Sequence, residues 1–124
     1  MSDNENIVKK LWEIFDKRRF AKVRPLLSQN FECTWPQSQE IIRGADNFIA
    51  LNENYPGKWA IECKRVVSCG DEAVSEVELT NNGQKVYATS FFEIENGKIF
   101  RLTEYWSEPY PAPEWRAKWV ERTK

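Results

Sequence analysis

The sequence predicts an α+β domain, with helices packed on the concave face of a curved antiparallel sheet. Two patterns carry this reading. Apolar residues in the first half recur at helical spacing, whereas the second half holds four long strand-like stretches divided by tight turns. Helices first and strands after, in one chain of 124 residues, give a single two-layer domain.

The elements follow in order. Ile7, Val8, Leu11, Trp12, Ile14 and Phe15 fall on one helical face, and Asp3 or Asn4 can cap the start. A short second helix is expected over Phe20 to Leu27, irregular because Pro25 lies inside it without an N–H. Phe31 to Trp35 alternates and is rich in strand formers, and Pro36 ends it. Gln37 to Arg43 reads as a loop with room for a very short strand at Ile41-Ile42. Gly44-Ala45-Asp46 opens a third helix carrying Phe48, Ile49 and Leu51, which Tyr55-Pro56-Gly57 stops. The next strand runs from Trp59 to Cys69, and Gly70-Asp71 turns the chain into Ala73 to Thr80. Asn81-Asn82-Gly83 leads to a long strand, Gln84 to Glu95, and Asn96-Gly97 is a two-residue hairpin signal before Lys98 to Ser107. Four strands joined so tightly form an antiparallel meander.

Residues 107–124 read as an extension of the same domain, which spans 1–124. The prolines at 109, 111 and 113 keep its first part extended. Glu114 to Arg122 is expected to form a short helix with Trp115 and Trp119 on one face. Such a helix either packs on its own domain, closes a pocket or reaches a partner subunit.

Composition excludes several functions. Lys and Arg number 18 against 19 Asp and Glu, and no concentrated basic face emerges, so nucleic acid is not an expected partner. The polar start Met1 to Asn6 lacks the basic and apolar regions of a signal peptide. No apolar run approaches the ~20 residues that span a bilayer, so no membrane partner and a cytoplasmic location are expected. Cys33, Cys63 and Cys69 match no metal or redox spacing and should be free thiols. The chain has no His, which removes the commonest metal ligand and general base, so neither a metal nor a cofactor is expected. Six Trp and seven Phe are enough to line a pocket or an interface.

Two segments carry a family resemblance. Arg43-Gly44-Ala45-Asp46 looks like the motif opening the third helix of the nuclear-transport-factor-2-like superfamily. Asn96-Gly97-Lys98-Ile99, followed by Leu102-Thr103-Glu104-Tyr105-Trp106, resembles the last hairpin of its SnoaL-like branch. The resemblance runs from about Ile7 to Trp106 and implies a cone-shaped domain, with three N-terminal helices over the concave face and a pocket inside. It also implies a homodimer paired through the outer face of the sheet, where Phe91 and Phe92 make both sides apolar. The branch includes isomerases, dehydratases, epoxide hydrolases, polyketide cyclases and non-catalytic binders.

Its chemistries carry over unevenly. The position of the limonene-epoxide-hydrolase Asp before the closing-strand Tyr is held here by Glu104. Those enzymes also place an Arg and an Asp two apart on a middle strand, where this chain has Val74-Ser75-Glu76-Val77-Glu78-Leu79 and no Arg. Pro36 to Gly44 has the ketosteroid-isomerase spacing, but the Asp base before that proline is Trp35 here, and the first helix has no Tyr. Scytalone-dehydratase chemistry leans on the missing His. Cyclase chemistry is implied only by analogy through Glu104.

Alternate strand residues share a face, so Phe100, Leu102, Glu104 and Trp106 should line the concave side. A carboxylate there would have a raised pKa, suiting a general acid or base, or would be a structural hydrogen-bonding group. Cys33 and Trp35 share a face and, by the resemblance, line the same cavity. Glu76 and Glu78 face one way with Val74, either opposite Glu104 or into solvent. For the strand 84–95, alternation does not say whether Tyr87, Thr89 and Phe91 or Val86, Ala88, Ser90 and Phe92 face inward. Three functions stand: binding of a small apolar, oxygen-bearing molecule with proton transfer at Glu104, binding without catalysis, or a dimerisation module whose cavity Trp and Phe fill.

Overall fold

The computed structural model describes residues 3–123. Met1, Ser2 and Lys124, the ends of the domain expected over 1–124, lie outside the described residues. Helix α1 (Asp3–Asp16) buries Val8, Leu11, Trp12, Ile14 and Phe15, as its periodicity requires. Asp3 and Glu5 in its first turn complement the positive end of the helix dipole. Its far end closes with Arg18 N–H on the Phe15 carbonyl (3.0 Å) and Arg19 N–H on the Ile14 carbonyl (3.1 Å). That paired pattern is a Schellman close, and its left-handed residue is Arg18, at φ 57°. Glycine is the usual occupant, and a side chain there is strained by roughly 1–2 kcal/mol.

A 3-10 helix (Phe20–Leu26) follows over Pro25. Then come β1 (Leu27–Trp35), the short β2 (Glu40–Arg43), α2 (Gly44–Glu53), and the meander β3 (Ala60–Cys69), β4 (Glu72–Asn81), β5 (Gln84–Glu95) and β6 (Lys98–Ser107). The six strands make one curved, unclosed sheet in the order β2-β1-β6-β5-β4-β3. Neighbours run antiparallel except β1, which lies parallel to β6. β1 starts earlier than its alternation suggests because Leu27 already pairs with Ile99, before a register shift ahead of Glu32.

The inner stripes are Ala73, Ser75, Val77 and Leu79 on β4, and Ala88, Ser90, Phe92 and Ile94 on β5. The side of β5 that alternation left open is therefore Ala88-Ser90-Phe92, and Tyr87 and Phe91 face outward. Helix α1 covers β3 and β4, while α2 lies over β1. Phe15 ties the layers together, with its ring 5.6 Å from Phe48 and 5.3 Å from Phe20.

The extension differs from expectation. Glu114–Trp119 is a 3-10 helix, not an α-helix reaching Arg122. At three residues per turn, Trp115 and Trp119 no longer share a face. Both are exposed, at 73% and 70%. No helix of the described residues is long and apolar enough to cross a membrane.

Candidate functional site

A polar row crosses the otherwise apolar concave face. Ser75 of β4 pairs in register with Ser90 of β5, which pairs with Glu104 of β6. All three are buried. Ser75 Oγ accepts a hydrogen bond from Trp12 Nε1 at 3.0 Å. Glu104 is held at both oxygens: Ser90 Oγ donates to Oε2 (2.9 Å), and Trp35 Nε1 donates to Oε1 (3.1 Å). The Cys33 thiol makes a weaker contact to Oε1 at 3.7 Å. None of these donors is charged. Burial therefore dominates and raises the Glu104 pKa, and the bonds from Trp35, Ser90 and Cys33 only partly offset it. The Cys33 thiol is pushed far above its ordinary range, first by burial and then by the carboxylate beside it.

An aromatic cavity of about 60 Å³ lies alongside this row. Phe15, Phe20, Trp35, Trp59 and Trp106 wall it, and Arg18, Tyr55 and Gly57 are its exposed residues and mark its mouth. Space of that size holds about two waters at liquid density and is well short of the ~150 Å³ cavity that takes up benzene. A wider outer pocket of about 350 Å³ adjoins it, sharing Trp35, Tyr55 and Trp106 and adding Gln37, Ser38 and Glu40. The Trp35 and Trp106 rings meet edge to face at 5.9 Å. Gln37 Oε1 accepts the Trp106 backbone N–H at 2.6 Å, fixing the loop after β1 onto β6. The Trp106 indole nitrogen is buried and has no hydrogen-bond partner among the described residues.

Not every residue expected at the site is there. Cys33, Leu102 and Glu104 are buried on the concave side, and Trp35 and Trp106 line the cavity. Glu104 itself does not line it. Trp35 joins the two, with its ring in the wall and its N–H on the carboxylate. Glu76 and Glu78 are corrections, because they stand on the outer face. Arg65 pairs with Glu76 at 2.9 Å and Lys85 with Glu78 at 3.3 Å. Phe100 is a second correction. The β5–β6 register shifts between Glu93 and Ile94, pairing Ile94 with Ile99 and Glu93 with Arg101. That bulge puts Ile99 in the core and takes Phe100 out of the stripe, to sit under the Arg101 guanidinium at 5.5 Å.

Sequence reasoning missed Arg18, Tyr55 and Trp59. Their signals were slight: two aromatics flanking Pro56-Gly57, and an Arg two positions beyond a helix end. Among the described residues, no cluster of three or more His, Cys, Asp or Glu could hold a metal ion.

The SnoaL-like domain family matches residues 8–102. No curated protein matches the chain. Among solved structures, a protein from Kribbella flavida, provisionally assigned as a ketosteroid isomerase, is 27% identical, with a TM-score of 0.91 over 98% of this chain and 90% of its own. An NTF-2-like protein from Burkholderia xenovorans is 31% identical, with a TM-score of 0.86 over 98% and 96%. An LEH-like epoxide hydrolase from M. tuberculosis shares the fold at 17% identity, with a TM-score of 0.70 over 85% and 83%.

Proposed function

The chain belongs to the SnoaL-like domain family, and from that premise we propose that it binds a small apolar molecule with an acceptor oxygen in the aromatic cavity. The observation that carries this reading is the aromatic cavity itself, with Trp106 in its wall, whose indole N–H is buried and has no acceptor among the described residues. A buried donor left unpaired costs about 1–3 kcal/mol, and a ligand oxygen removes that cost. The surrounding rings supply apolar contact, and the cavity volume limits the fully enclosed part of the ligand to less than one ring, the rest standing in the wider outer pocket. Glu104 serves this site from behind, fixing the Trp35 ring through its N–H.

The test is tryptophan fluorescence and thermal melting against one-ring hydroxy and keto compounds. Saturable binding is expected, weakened about tenfold in Trp106→Phe, which keeps a ring but loses the donor. Absence of millimolar binding by any compound, or full affinity in the variant, would overturn the proposal.

Proton transfer at Glu104 is the second reading. Its raised pKa suits an acid, as in isomerase and hydrolase sites. It requires Trp35 to leave Oε1, so turnover that survives in Glu104→Gln would exclude it.

A further inference from the structure

The geometry points to a monocarboxylate as the ligand, its apolar body among the rings and its carboxylate at the mouth on Arg18; this rests on the cavity being a binding site. The charges and donors of the wall support it. Among the described residues lining the cavity none is acidic, and Arg18 is the cation. Most of the other donors are already used within the chain. Trp35 Nε1 is on Glu104, Trp59 Nε1 is on the Pro56 carbonyl at 2.9 Å, and Asn52 Nδ2 is on the Phe48 carbonyl at 2.8 Å. What is left over is the Trp106 N–H, the Tyr55 hydroxyl and most of the Arg18 fork. Arg18 gives a single long bond, 3.3 Å, to the Gly57 carbonyl and makes no ion pair among the described residues. A wall that offers donors and one cation selects an acceptor that carries negative charge.

The backbone adds an independent observation. Arg18 occupies the left-handed position that ends α1, where glycine would be free of strain. The turn sends its side chain back over Phe20, 5.4 Å from the ring centroid, so the guanidinium is held beside the apolar wall. Strained backbone that presents a charge at a cavity mouth is a mark of a functional position.

Three isosteric probes decide it: phenylacetate, 2-phenylethanol and 2-phenylethylamine, titrated calorimetrically at neutral pH and moderate salt. Phenylacetate should bind about tenfold more tightly than phenylethanol, since a charge-assisted bond to an exposed Arg is worth about that much, and the amine should bind most weakly. Arg18→Gln should abolish the preference for phenylacetate, whereas Arg19→Gln, which changes the charge next to the cavity but not in its wall, should preserve it. Equal binding of phenylacetate and phenylethanol by the wild type, or a preference that survives Arg18→Gln, overturns the carboxylate assignment and leaves the cavity reading standing. Binding of none of the three overturns both.

Discussion

Replacing Glu104 by Gln should remove the pH dependence that this residue imposes on stability. In the fold the carboxyl is buried, its partners are neutral, and its pKa is raised from the ordinary value of 4.5. Below pH 4.5 the folded and unfolded chains both hold the proton, and the contribution of Glu104 to stability is fully present. Above that pH the unfolded chain ionises while the folded one keeps its proton. Stability then falls by up to about 1.4 kcal/mol per pH unit until the folded pKa is passed. Gln has no such titration. Its carbonyl can accept from Trp35 Nε1 and its amide can donate to Ser90 Oγ, so at pH 4.5 the variant should lie within about 1 kcal/mol of wild type. Urea unfolding of both proteins from pH 4 to 8, followed by tryptophan fluorescence, gives the difference directly and cancels the other carboxylates. Variant minus wild type should rise with pH and then level off. A flat difference would show that the fold leaves the Glu104 pKa unshifted, and one that falls would show that the fold stabilises its ionised form; either would refute this electrostatic account.

Further outcomes follow from other parts of the molecule. Gly57→Ala should destabilise by about 1–3 kcal/mol in the same assay, because φ is +92° and a Cβ would meet Asn81 Nδ2 at 2.5 Å. We propose a homodimer through the outer face, where Val67, Val74 and Phe91 align in register and Phe91 meets Tyr105 edge to face; light scattering at micromolar concentration should give a dimer mass, and Phe91→Asp a monomer. All three cysteines are unbridged in the fold. A thiol reagent should modify exposed Cys69 first, Cys63 next and buried Cys33 only on unfolding. A Cys63–Cys69 bridge in native protein would contradict the strand, which holds residues six apart about 20 Å from one another.

Much of the architecture was readable because it rests on local signals. The α1 stripe, the Asn96-Gly97 hairpin and the bounds of β5 and β6 need only periodicity and turn chemistry. Glu104 was readable too, as a lone carboxylate between Leu102 and Trp106. Facing was harder. On β4 the inward stripe contains the small residues Ala73 and Ser75, and Trp12 of α1 reaches down to bond Ser75. The opposite stripe, Val74-Glu76-Glu78, therefore looked no less suited to a pocket. The bulge that removes Phe100 has no sequence mark, since it depends on how β5 and β6 take up the sheet's curvature. The mouth of the cavity was the least legible part, because Arg18 and Tyr55 reach it from a helix end and a loop brought together by the packing of other residues.

The sheet ends at β3, and that has a bearing on how the protein behaves in a crowded solution. An open last strand offers a row of unpaired backbone groups to any other chain. Here the strand is broken by a register shift between Cys63 and Arg65 and carries Glu62, Lys64 and Arg65 around it. An incoming strand would lose its ladder at the shift and meet charge on either side of it. The curvature that opens a space beneath α1 thus ends in an edge unsuited to templating, and the fold can leave its sheet unclosed without inviting fibrillar growth.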